Sequence, residues 1–157
     1  MKVEFWVVGK TQFKYLNEGI EIYEKRLRKY VPFQMVVLPD IKNAKNMTPE
    51  LLKLKEGSVI LNKLEKNDLL ILLDENGKSF TSEKFAFWIE KQLQHSARKI
   101  IFLIGGAYGF SDEIYKRSQQ KIALSAMTFS HQMVRLFFIE QFYRALTILK
   151  NEPYHHQ

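Results

Sequence analysis

Cysteine is absent from this chain. That removes disulfide frameworks, thiol catalysis and cysteine-based zinc sites together, and it fits a reducing compartment. Glycine and proline are scarce, at 7 and 4 of 157 residues. No Gly/Pro/Ser-rich linker, repeat or low-complexity tract divides the sequence, so residues 1–157 read as a single domain. Long apolar runs are missing too. The N-terminal "MKVEFWVVGK" is interrupted by Glu4 and has no small-residue cleavage site, so it is neither a secretion signal nor a membrane span. These absences predict a cytoplasmic protein with no membrane partner. The lack of an HExxH motif, of an acidic cluster and of cysteine predicts no metal site.

What is present is apolar and basic. Hydrophobic residues make up 46% and aromatics 13% of the chain, enough for an ordered core. The net charge of +7 makes a polyanion a plausible partner. Residues 1–66 hold 13 Lys+Arg against 8 Asp+Glu, and residues 67–157 hold 11 against 9. The densest basic run, "EKRLRKY" (Glu24 to Tyr30), reads equally well as a solvated helix face or as a phosphate-contacting one.

Strand and helix signals alternate. Short apolar runs predict strands at 2–8, 33–39, 68–74, 99–104 and 121–127. Phe13, Leu16, Ile20, Tyr23 and Leu27 predict an amphipathic helix over 12–30, closed by Pro32. Thr48 is placed to cap a helix running to about Leu64, with Pro49 at its first position. Thr81 or Ser82 starts another, through about His95. The "ENGK" after the third strand reads as a polar turn. Ser111, Asp112 and Glu113 open a short helix, and a last helix covers 131–150. Continuous apolar strands alternating with helices predict an α/β fold with a parallel sheet covered on both faces.

Three of the seven glycines crowd the end of one strand, in "KIIFLIGGAYGF" (Lys99 to Phe110). Ligands of parallel sheets bind outside the carboxyl ends of strands. Glycine there permits positive φ and lets a ligand approach the backbone. The G-G-x-x-G spacing is neither the dinucleotide fingerprint nor a phosphate loop, and a tight ligand-free turn is the other reading. Leu73 and Asp74 end the third strand at the same edge. "LSAMTFS" (Leu124 to Ser130) follows the fifth, with the small, apolar, backbone-exposing character of an adenine slot.

"FLIGGAYGF", then "LSAMTFSHQMVR", then a C-terminal "PYHH", in this order and in a chain of this length, resemble the small bacterial ribosomal-RNA methyltransferases of the RlmH family, in the SPOUT class. The resemblance runs from "VVGK" to the tail. It departs at Ser130, where the family commonly has proline, and at Phe110, where it commonly has leucine. It implies a parallel-sheet SPOUT methyltransferase fold with a C-terminal deep trefoil knot over about 70–150, and a homodimer. It implies S-adenosyl-L-methionine as cofactor, held by Leu73, Gly105, Gly106 and the loop Leu124, Ser125, Ala126, Met127, Thr128 and Phe129. It also implies the ribosome as partner, with N3 of a pseudouridine in 23S rRNA as the methylated atom.

Four polar residues are the catalytic candidates. His131 and Arg135, four apart, would share a helix face. Arg135 would hold a phosphate or a carbonyl oxygen, and His131 would act in catalysis or shape the cofactor loop. In the tail, Tyr154 would position the target base. His155 would serve as base or proton relay, because an imidazole titrates near neutrality. Apolar residues cover most of the last helix, which predicts burial on several sides, with Phe138 at a subunit contact. Two other functions stay open: a non-catalytic ribosome- or RNA-binding factor of the same fold, and a nucleotide hydrolase or kinase, which the missing phosphate loop disfavours.

Overall fold

The computed structural model describes residues 1–156; Gln157 lies outside the described residues. The elements, in order, are β1 (Lys2–Val8), α1 (Lys14–Leu27), β2 (Phe33–Leu38), α2 (Pro49–Lys63), β3 (Leu69–Ser79), α3 (Ser82–Leu93), β4 (Lys99–Ile104), α4 (Asp112–Arg117), β5 (Gln120–Ala123) and α5 (Met133–Leu149). The five strands form one sheet in the order β2-β1-β4-β3-β5, and every pairing is parallel. All carboxyl ends therefore share one edge.

Alternation along the strands makes two cores. Val3, Phe5 and Val7 join one core with residues of α1, α3 and α5. Trp6 and Val8 join the other with Ile60 of α2 and Ile114 of α4. A sheet with both faces covered needs strands that are apolar throughout, which is why the runs read as continuous rather than alternating. The caps form as their residue types dictate: Thr48, Thr81 and Ser111 accept from Leu51, Lys84 and Ile114 N–H.

Several boundaries differ from the sequence reading, and three of them bear on the site. β3 does not stop before "ENGK" but runs on to Ser79. Leu73 and Lys78 both oppose Ile122 of β5, so Asp74–Gly77 leave the ladder and rejoin it. A Cβ on Gly77 would lie 2.6 Å from the Ile122 backbone, a close approach that only glycine allows. β5 ends at Ala123 rather than 127, which frees the following residues as a loop. α5 begins at Met133, two residues later than expected, after a turn in which Ser130 Oγ accepts from Met133 N–H at 3.1 Å.

Phe138 corrects the expectation of a subunit contact at that position. It is fully buried in its own core, with its ring 4.6 Å from Phe5 and 4.9 Å from Phe102. The neighbouring Phe137 is 39% exposed, and Met133 one turn earlier 40%. The apolar circumference of α5 is thus mostly covered by the fold itself. Phe138→Ala should cost about 3–5 kcal/mol, the scale for an aromatic removed from a core. Phe137→Ala should cost far less. Urea denaturation of the two variants checks the difference, and equal losses would place Phe137 in the core as well.

Candidate functional site

The bulge in β3 and the carboxyl ends of β4 and β5 frame a cleft of about 570 Å³. Leu73 and Asp74 come from β3, Ile104 to Phe110 from the glycine loop, and Leu124 to His131, except Ala126, from the loop after β5; Val134 adds the start of α5. Of the nine residues the sequence assigns to a cofactor, eight line this one cleft; Ala126 does not.

The glycines have separate reasons. Gly109 has φ +84° with open space beyond it, and its N–H donates to Gly106 O at 3.1 Å, closing a tight turn. Positive φ thus belongs to Gly109, not to the Gly105–Gly106 pair, which lacks it. A Cβ on Gly105 would press on Gly109 O and the Phe110 ring, each at 3.0 Å. A Cβ on Gly106 would lie 2.6 Å from a carboxylate oxygen of Glu56 on α2. Gly106 lines the cleft, and a side chain there would also displace the carboxylate end of Glu56 behind the loop.

The cleft's charge is acidic. Asp74 accepts from the Tyr115 hydroxyl through Oδ2 and from Asn76 N–H through Oδ1 at 2.8 Å. Burial first, and then the Asp74 hydrogen bond, push the Tyr115 hydroxyl well above the usual phenol range. Glu75 lies within 3.5 Å of Thr128 Oγ1. Behind the loop, burial and then Asp40 raise the Glu56 carboxyl. Among the described residues neither Lys nor Arg lines the cleft. Such a wall suits a cationic ligand and opposes a triphosphate.

His131 and Arg135 do not share a face. His131 sits in the turn before α5 and lines the cleft. Arg135 is 1% exposed and turned toward the end of β1. It donates to Val8 O and Gly9 O at 2.8 Å each and to Thr11 Oγ1 at 3.1 Å. Its guanidinium is occupied inside the fold and is not offered to a phosphate, which corrects its assigned role. Burial lowers its pKa and Asp40 opposes the shift. Gln132, which the sequence reading missed, is 6% exposed; it accepts from Gln12 N–H at 2.8 Å and donates to Lys10 O at 3.3 Å. A polar residue opening an otherwise apolar helix was its only signal.

Residues 1–155 match the family described as "Predicted SPOUT methyltransferase". The chain belongs to the SPOUT methyltransferase family. It is 53% identical over 157 residues to "Ribosomal RNA large subunit methyltransferase H" of Parabacteroides distasonis, and 54% to the protein of that name from Flavobacterium johnsoniae, in each case covering 100% of both chains. Among solved structures, a probable methyltransferase from Bordetella pertussis Tohama I superposes with a TM-score of 0.57 at 12% identity, over 92% of this chain and 94% of that one. A probable methylase family protein from Haemophilus influenzae gives 0.52 at 10%, over 99% and 70%. At these identities the two structures speak to the fold alone.

The tail of this SPOUT methyltransferase is tied down outside its own cleft. The Tyr154 hydroxyl bonds the Tyr23 hydroxyl and Glu140 Oε1, each at 2.9 Å. Arg144 pairs with Glu140, one turn earlier on α5, at 2.5 Å and lies over the Tyr154 ring. Arg144 has only donors, so His155 Nδ1 accepts from it at 3.1 Å, leaving Nε2–H to donate to Glu83 at 2.9 Å. That hydrogen bond holds the Glu83 carboxyl below its usual range. Neither Tyr154 nor His155 lines the cleft.

Two outcomes follow from these contacts. Gly106→Val should lower Tm by forcing Glu56 aside, and Glu56→Ala should recover most of the loss in the double variant. A double variant no better than the single one would show that α2 is not what excludes the side chain. Tyr154→Ala with His155→Ala should lower Tm by roughly 2–4 °C, the scale of a 1 kcal/mol change in a chain of this size. The Glu83 carboxyl should then titrate higher, toward its ordinary range, as read by NMR. Unchanged titration would mean that the imidazole contact is not made in solution.

Proposed function

We propose that the chain transfers the methyl group of S-adenosylmethionine to N3 of a pseudouridine in the 23S rRNA of the assembled ribosome. It does so as a cytoplasmic homodimer whose C-terminal half, about 70–150, is threaded as a trefoil knot. The observation that carries the reading is the single cleft that gathers the three segments the sequence assigned to the cofactor. The curated relatives' shared name, given to proteins matching end to end, supplies the ribosomal RNA.

The residues present fit this cofactor. The volume lies within the range of small-molecule sites. Leu73, Leu124, Met127 and Phe129 offer apolar walls, backbone groups of two loops supply polar edges, and Asp74 and Glu75 complement a positive charge. S-adenosylmethionine would supply an electrophilic methyl group on a sulfonium. The chain's task is alignment and control of one proton. An N3–H becomes nucleophilic as it loses that proton, so a base, or a donor that stabilises the developing anion on the flanking carbonyls, is needed within reach of the ring. His131 is the imidazole on the cleft wall of the same subunit.

Tyr154 and His155 keep a role through the second subunit. Phe129 and Phe137 pack with ring centroids 5.0 Å apart; Met127 on the cleft wall is exposed, as is Met133, one turn before Phe137 on α5. A second copy seated on that apolar patch covers it and brings its own α5 and docked tail toward the cleft. There Tyr154 positions the base and His155 relays the proton.

Three measurements test this. Calorimetry should show one S-adenosylmethionine per subunit, and light scattering a dimer. Labelled methyl should reach 70S ribosomes in preference to separated subunits. His131→Gln and the Tyr154→Ala/His155→Ala pair should each keep cofactor affinity while methyl transfer falls by roughly 10²–10⁴, the range for impaired acid–base catalysis. Wild-type transfer by both variants would remove these residues from the chemistry.

A further inference from the structure

The densest basic run in the sequence is not where a substrate would meet it. α1 leaves the cleft edge and runs to the opposite one, so Glu24–Tyr30 lies at the far side of the sheet. Three of its cations have local partners there. Arg28 pairs with Glu24 at 3.3 Å, Lys25 with Glu21 at 3.4 Å, and Arg26 lies over the rings of Tyr23 and Tyr143.

Other cations reach the cleft edge. The loops after β1 and β2 emerge at the same carboxyl edge as the cleft, because every strand is parallel. They expose Lys10, Lys42 and Lys45, which make no ion pair among the described residues. Lys14, at the start of α1, approaches Glu18 at 3.9 Å with both side chains exposed, a pairing of little strength. Asp40, in the same loop as Lys42 and Lys45, is exposed as well and offsets part of this charge. Its carboxylate lies where a Gly9 Cβ would be and acts on buried Arg135.

Two aromatic rings are interleaved with the lysines. Phe13 is 47% and Tyr15 60% exposed, with centroids 5.7 Å apart. Exposed large rings at this density are costly to leave in water without a partner. The backbone beneath them is rigidly held: Gln132 and Arg135 bond Val8, Gly9, Lys10, Thr11 and Gln12. Both belong to the segment that begins at His131, on the cleft wall.

We infer that Lys10, Lys14, Lys42 and Lys45, with Phe13 and Tyr15, form a docking shelf for single-stranded RNA flanking the target nucleotide. This rests on the proposed RNA substrate and adds the surface that grips it. Proteins bind unpaired RNA by combining cations along the backbone with aromatic faces on which bases stack. The shelf offers both beside the cleft. The cleft has neither Lys nor Arg on its own walls, so the phosphates must be met elsewhere.

The test measures affinity of the full chain for 70S ribosomes across a salt series, with S-adenosylmethionine calorimetry alongside. Changing Lys10, Lys14, Lys42 and Lys45 together to Gln should make the log–log salt slope shallower by about 0.7 for each phosphate that is no longer neutralised. Phe13→Ala with Tyr15→Ala should weaken ribosome binding about 10- to 100-fold, the scale of removing one or two base stacks. Both should keep cofactor affinity and the dimer. Lys25→Gln with Lys29→Gln, at the far edge, should leave the slope unchanged. The inference is overturned by an unaltered slope in the quadruple variant, by an equal change in the far-edge control, or by dissociation to monomers in the aromatic variant, which would make the rings a subunit contact. Failure of the wild-type protein to bind S-adenosylmethionine or ribosomes at all would instead overturn the proposed function.

Discussion

One buried guanidinium holds the working edge of this protein together. Arg135 reaches across the fold to the last carbonyls of β1 and to Thr11, and so fastens the start of α5 to a strand more than 120 residues earlier in the chain. The group is costly to bury, and three oxygen acceptors with the nearby Asp40 carboxylate offset that cost. Removing it would strand those acceptors and free the first turn of α5. Cleft wall, loop and helix start are therefore one unit: His131 directly precedes Gln132, which holds the same loop from the other side.

The sheet explains why the site sits where it does. Parallel strands deliver every following loop to one edge. With the order β2-β1-β4-β3-β5, the bulge within β3 and the loops after β4 and β5 enclose the cleft, while the loops after β1 and β2 carry charge beside it. The fold divides the edge into a half that holds an acidic cleft and a half that carries exposed lysines.

Much of this was legible. That Gly105 and, Ala126 apart, the 124–129 segment would meet in one cleft was readable because apolar runs ending in small or glycine residues mark strand ends, and parallel strands bring those ends to one edge. Arg135 was misplaced because a four-residue spacing says which residues are near one another on a helix but not which way α5 turns, and α5 had not yet begun at His131. The approach of Glu56 to Gly106 could not be read, because the two lie fifty residues apart. Phe138 and Phe137 are adjacent in the sequence and opposite in environment, which an almost uniformly apolar helix conceals. The tail's anchorage depends on Tyr23, Glu83, Glu140 and Arg144, contacts that no local pattern encodes.

The two ends of the described chain consequently differ as attachment points. Met1 precedes β1 and so lies at the edge of the sheet away from the cleft, where a linker to a surface or a fluorophore would hang clear of the loops. The last described residues are stitched to three helices, and a handle added beyond them would tug first on the Tyr154 and His155 contacts. An immobilised sample tethered at its N-terminus therefore presents its reactive side outward, whereas one tethered at its C-terminus begins with the tail under load.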